Sequence, residues 1–238
     1  EEGIAVINND DRFADKLKSF TKGRRMVTFG VDHPADVSAI NIRAEKNGRA
    51  CFTIAFPEDK IDVQLQLLGE HNVRNALAAA AVAYAMKIPS DTIKKGLALA
   101  EAVKSRLVEK AGVAGARVID DSYNANPLSV SAAIDVLAGQ KGNSVLVLGD
   151  MVELGGESKK FHQQIGEAAQ SKGIGHLYCY GPQSLYAAQA FGKNSYHFQD
   201  QQQLIDALKP ILSDDTVVLV KGSFSMNMSR FAAALMKE

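Results

Sequence analysis

The feature that most constrains this chain is the rhythm that begins near Ala116. Strand-like apolar runs at Arg117 to Ile119, Ser144 to Leu148, His176 to Tyr180 and Thr216 to Val220 alternate with helical patterns at about 128 to 138, 157 to 172, 182 to 191 and 201 to 212, and a last helix is expected over 225 to 237. Runs this apolar cannot leave a face in water, and strands separated by helix-length segments are joined by right-handed crossovers. The pattern therefore predicts a mostly parallel sheet covered by helices on both faces.

The first hundred residues read differently. A strand at 4 to 7, a turn at Asn8-Asn9-Asp10-Asp11, a helical stretch to about Phe20 and a strand at Arg25 to Phe29 make one α/β unit. Short strands follow at Val37 to Arg43, Ala50 to Phe56 and Ile61 to Leu67, separated by turn-rich stretches such as Lys46-Asn47-Gly48, and predict an antiparallel meander. Helices are expected over 72 to 87 and from Ser90, read as a cap, to about Leu99. The change of rhythm places a domain boundary and hinge in the mixed stretch Lys104 to Gly112. The expected domains are 1–105 and 106–238.

Composition excludes several classes. Lys plus Arg and Asp plus Glu number 27 each, so no overall field draws the chain to nucleic acid or an anionic membrane, and an anionic ligand must be held by local geometry. No apolar run approaches the roughly 20 residues of a spanning helix, so membrane insertion is not expected. Cys51 and Cys179 form neither a CxxC pair nor a disulfide framework, which fits a reducing cytoplasm. The start, Glu1-Glu2-Gly3-Ile4, has no initiator Met and runs directly into a strand; a fragment of a longer chain is expected, although processing gives the same start.

Two segments carry chemistry. In Gly69-Glu70-His71-Asn72-Val73-Arg74-Asn75, the two Asn lie three apart at a helix start, and amides offer the donor and acceptor that an adenine edge requires. A helix cap and a surface amide would explain the same spacing. In Asp120-Asp121-Ser122-Tyr123-Asn124-Ala125-Asn126-Pro127, two acids, two amides and a Tyr follow a strand directly, where open α/β sheets bind ligands. A turn into a helix needs Pro127 but not so many functional groups.

These two segments, with Val145 to Gly155 (VLVLGDMVELG) and Leu219 to Ser225 (LVKGSFS), occur in the order found in the Mur ligases, and the chain resembles that family over nearly its whole length. The Asp-Ser-Tyr-Asn-Ala-Asn version resembles the branch that adds D-alanyl-D-alanine to UDP-MurNAc-tripeptide. The resemblance implies ATP and Mg²⁺ as cofactors, UDP-MurNAc-tripeptide and D-alanyl-D-alanine as partners, and a cytoplasmic monomer. It implies that Asn72 and Asn75, with His71 beside them, hold adenine, that Arg106 reaches the nucleotide phosphates, and that Asp121 lies near the ribose. Asn124 and Asn126 then meet the acceptor or reacting centre, with Ser122 and Tyr123 in the same loop. Lys221 and Ser223 are assigned to the carboxylate of the incoming dipeptide, and Asp150 and Glu153 to its amine or to Lys221. Arg106 and Asp121 are expected to act on the nucleotide rather than as fold elements.

One part of that chemistry is missing from the sequence. No G-x-x-x-x-G-K-[ST] loop occurs; the nearest string, Phe191-Gly192-Lys193-Asn194, has Asn where a metal-ligating hydroxyl belongs. The chain is therefore read as the C-terminal two-thirds of such a ligase, inactive alone, with the metal ligands mainly elsewhere. Three rivals stand beside this reading. Another Mur ligase or folylpolyglutamate synthetase shares the ATP chemistry, a dinucleotide-binding module lacks its G-x-G-x-x-G, and a non-catalytic nucleotide-binding module remains open.

Overall fold

The computed structural model describes residues 3–45 and 49–237, so the expected turn at Lys46-Asn47-Gly48 lies outside the described residues. The chain divides into two compact units, Glu1–Glu101 and Ala102–Glu238.

The first unit is built on a five-stranded sheet in which β1 (Ala5–Asn8), β2 (Met26–Gly30) and β3 (Val37–Ala44) run parallel. Helix α1 (Ala14–Ser19) connects the first two strands. The expected meander is present: β4 (Arg49–Ala55) pairs antiparallel with β3 and with β5 (Lys60–Leu68). In β5, Ile61, Val63 and Leu65 are buried while Lys60, Asp62, Gln64 and Gln66 face water, the period of two that a half-covered sheet demands. Helix α2 (His71–Ala85) lays Val73, Leu77, Ala80 and Ala81 into a core shared with Phe52, Ile54 and Leu65. Its alanines let the helix approach the sheet closely. Helix α3 (Ser90–Ala98) follows, but Ser90 is not its cap. Pro89 holds that position, and the Ser90 hydroxyl donates to the Asp59 carboxylate instead.

The second unit holds a six-stranded sheet in the order β10-β9-β8-β11-β7-β6. Strands β7 (Arg117–Asp121), β8 (Asn143–Gly149), β9 (His176–Tyr180), β10 (Ser195–Phe198) and β11 (Thr216–Lys221) are parallel. β6 (Val108–Ala111) closes one edge antiparallel to β7. The units divide between Glu101 and Ala102, just ahead of the boundary expected within 104–112, and Val108–Ala111 of that stretch pairs with β7. The mixed charge of Glu109-Lys110 marks an edge strand rather than a linker.

Helices α4 (Pro127–Ala138), α5 (Ser158–Ser171), α6 (Leu185–Phe191), α7 (Gln201–Leu208) and α8 (Ser229–Leu235) cover both faces. Val118, Val145, Val147, Val218 and Val220 share one core with Leu204 and Leu208 of α7 and Phe231 and Leu235 of α8. The residues between them, Ile119, Leu146, Leu148 and Leu219, are fully buried on the opposite face, where α4 packs on β8 and β11. The two C-terminal helices are shorter than the periodicity predicts. Pro210 turns the end of α7 into a 3-10 turn, and Asn227, with φ 53°, separates a turn at Phe224–Met226 from α8. Because β11 inserts between β7 and β8, the chain leaves β7 in one direction and returns from the other, and the crevice at the reversal lies outside the ends of these strands.

Candidate active site

Strands buried on both faces can place charged side chains only at their ends. β7 finishes in Asp120-Asp121 and β11 in Lys221, and parallel register sets Lys221 beside Asp121 and Val220 beside Asp120. Neighbours in register point to the same face, so the ammonium meets Asp121. Lys221 Nζ lies 2.7 Å from Asp121 Oδ2 and also donates to the Asn124 carbonyl at 2.8 Å. Asp121 Oδ1 accepts the Leu107 N–H at 3.2 Å. Asp120 points the other way, taking the Ser122 hydroxyl and N–H on one oxygen and the Ser105 hydroxyl on the other.

The turn after β11 is equally engaged. Ser223 Oγ donates to the Ala125 carbonyl at 3.3 Å and accepts the Val152 N–H at 2.9 Å. Gly222 precedes it because a Cβ there would stand 3.0 Å from Gly149 Cα and 2.5 Å from the Met228 side chain. The two strand ends touch backbone to backbone.

This geometry corrects several expectations. Lys221, Ser223 and Ser122, assigned to substrate, are 3%, 1% and 4% exposed and bonded within the protein. Lys221 and Ser223 hold the Asn124 loop through the Asn124 and Ala125 carbonyls. Asp121, expected to act on the nucleotide rather than as a fold element, is buried and paired with Lys221. Asn126 caps α4 through its side chain, which accepts the Ser129 N–H at 2.8 Å. Asp150 does not face Lys221; its carboxylate accepts the N–H groups of Gln183 and Ser184. Glu153 is exposed in a left-handed turn at φ 64°.

What remains open to ligand is a smaller set. Asn124 is exposed, its Oδ1 engaged only by the next N–H. Tyr123 is 47% exposed, with the Arg106 guanidinium 4.6 Å from its ring and Phe224 tilted against it. Ser105 and Leu107 both have positive φ, 60° and 52°, so the backbone on either side of Arg106 is held in a costly conformation. Phe224, 74% exposed at the strand-end turn, carried no readable signal beyond its place after Lys221-Gly222-Ser223. Also missed in sequence was His162, fully buried beneath the 150–154 loop; the clue was its place on the buried face of α5 with Ile165 and Ala169.

In the first unit, the start of α2 has the expected amide pair. Asn75 Nδ2 donates to Asn72 Oδ1 at 2.9 Å, and Asn72 Nδ2 to the Leu68 carbonyl at 2.7 Å. Neither is the cap, which is Glu70. The pair is linked side chain to side chain, and half-buried His71 begins the same turn. Among the described residues no group of three or more His, Cys, Asp and Glu is placed to hold a metal ion.

Comparison with known proteins matches the geometry. The Mur ligase middle domain matches residues 1–83, and the Mur ligase glutamate ligase domain matches residues 105–224. The UDP-N-acetylmuramoyl-tripeptide–D-alanyl-D-alanine ligase of Escherichia coli (strain K12) is 40% identical across 99% of this chain and 52% of its own length. The enzyme of the same name from Haemophilus influenzae is 34% identical across 96% of the chain and 50% of its own length. A crystal structure of MurF from Acinetobacter baumannii superposes with a TM-score of 0.91 at 32% identity, over 100% of this chain and 52% of that one. The chain thus spans about half the length of the relatives it matches, not the two-thirds that motif order implied. By both matched domains and by the strand-end loop they contain, the chain belongs to the Mur ligase family.

Proposed function

We propose that this chain is the C-terminal half of an ATP-dependent amide ligase that adds D-alanyl-D-alanine to UDP-MurNAc-tripeptide in the cytoplasmic synthesis of peptidoglycan precursors. The observation that carries the reading is the loop Asp120 to Asn126, held rigidly at the ends of β7 and β11 with Asn124 and Tyr123 left outward. That loop lies in a chain that aligns over nearly its own whole length with about half the length of UDP-N-acetylmuramoyl-tripeptide–D-alanyl-D-alanine ligases.

In the proposed reaction the tripeptide carboxylate takes the γ-phosphoryl group of ATP, and ADP leaves. The dipeptide amine then attacks the acyl carbon, inorganic phosphate departs, and the amine gives up a proton. Asn72 and Asn75 hold the adenine edge. Arg106, exposed and with a guanidinium fork suited to phosphate oxygens, serves the phosphates once it leaves the Tyr123 ring. Asn124 and Tyr123 meet the acceptor. Asp121 and Lys221 fix the loop that carries them. The triphosphate cradle and the metal ligands belong to sequence outside this chain.

A panel of acceptors tests the reading. The longer ligase carrying this chain is given ATP, UDP-MurNAc-tripeptide and, in turn, D-alanyl-D-alanine, L-alanine or glutamate. Amide product with the D-dipeptide alone is expected; product with L-alanine or glutamate, and none with the dipeptide, would overturn it.

A further inference from the structure

Residues 150 to 152, at the end of the central strand β8, each hand a group to a different element. The Asp150 carboxylate takes the N–H groups of Gln183 and Ser184 ahead of α6, and its carbonyl takes the Ser223 N–H at 3.0 Å. The Met151 N–H donates to His162 Nε2 on α5 at 3.0 Å. The Val152 N–H donates to Ser223 Oγ, which in turn donates to the Ala125 carbonyl beside Asn124. Loops from the ends of β7, β8, β9 and β11 are thus joined in one hydrogen-bonded plate.

His162 is a fully buried member of that plate, and it bonds Met151 and Ser158 rather than the Asn124 loop itself. Its tautomer follows from its partners. A main-chain N–H can only donate, so Nε2 must accept and carry no proton. The proton then sits on Nδ1, which donates to the Ser158 carbonyl at 2.8 Å. The ring spans α5 and the 150–152 segment, holding Met151 where Val152 can reach Ser223.

We propose that His162 is a positioning residue of the ligase site, fixing the Asn124 loop through Met151, Val152, Ser223 and Ala125. The inference rests on the ligase reading for its consequence but not for its geometry. Removing the Nε2 acceptor frees the Met151 N–H, loosens Val152 from Ser223, and lets the Asn124 loop drift. Misplacing an acceptor-binding group by about 1 Å costs as much as a hundredfold in rate or affinity.

The test compares His162→Asn, whose shorter amide cannot reach Met151, with His162→Gln, whose carbonyl reaches about as far as Nε2. In isotope-labelled chain, NMR should show His162 as the Nδ1–H tautomer. The amide signals of Asn124, Ala125 and Ser223 should shift in His162→Asn and return in His162→Gln. In the longer ligase, His162→Asn should raise KM for D-alanyl-D-alanine roughly tenfold or more with KM for ATP unchanged, and His162→Gln should restore it. An Nε2–H tautomer, or shifts confined to Met151 and Val152, would overturn the inference. If His162→Asn fails to fold, the tautomer and the unshifted 124–125 amides expected of His162→Gln still decide. A ligase inactive on D-alanyl-D-alanine would sink the functional reading while the amide signals still decided the positioning role.

Discussion

Replacing Lys221 with Met keeps the apolar stem and removes only the ammonium, so it isolates the Lys221–Asp121 pair. Both side chains are nearly enclosed, at 3% and 12% exposure, and the ammonium also neutralises the Asn124 carbonyl dipole. Breaking such a pair from one side leaves a charge facing apolar surroundings and costs about 3–5 kcal/mol. In a domain of this size that lowers the melting temperature by about 10 °C. Replacing Asp121 with Asn as well should recover most of the loss, since Asn still accepts the Leu107 N–H and no charge is left buried. Thermal and urea unfolding of the chain, with both single variants and the double, supply the full cycle. Arg106→Ala is the control: the side chain is exposed, and the melting point should stay within about 1 °C. If Lys221→Met melts with the parent protein, the ammonium is not committed to Asp121 and is free for the dipeptide carboxylate to which the sequence reading assigned it, and the account of a structurally committed pair is wrong.

Asn126→Ala removes the cap of α4 and should cost about 1 kcal/mol in urea unfolding, with Asn126→Asp nearly neutral. Burial would raise the Asp10 pKa, but the N–H groups of Val31 and His33, the His33 ring and the Asp32 N–H outweigh it and hold the carboxyl below its ordinary value. A depressed pKa stabilises above the unfolded value of about 3.9 and is lost as pH falls through the folded one, so the stability gap between the chain and Asp10→Asn should narrow from pH 5 to pH 2. A gap that widened in acid would contradict this. Limited proteolysis should cut first between Leu99 and Lys104, where the chain is exposed and unpaired with either sheet; first cuts within β6 would contradict the boundary.

The parallel sheet was legible because its strands are apolar on both faces, a pattern with few other solutions. β10 was not, since Ser195-Tyr196-His197-Phe198 is a short edge strand with mixed polarity. The gathering of charged residues at the ends of β7 and β11 was legible too, because such strands can carry charge only there. Their division of labour was not. Whether Asp121 and Lys221 face ligand or each other depends on the register of β7 against β11, which lie a hundred residues apart. The same holds for His162, whose partner Met151 is fixed by how α5 packs and not by sequence spacing.

The central claim is that this chain supplies the nucleotide and acceptor side of a ligase whose phosphate cradle lies in sequence outside it. Phosphate release measured with ATP, UDP-MurNAc-tripeptide and D-alanyl-D-alanine, by this chain and by the longer ligase containing it, tests that claim most directly. The longer protein should release phosphate only when all three substrates are present, and the chain alone should release none. Turnover by the chain alone, or release by the longer protein that ignores the dipeptide, would contradict it.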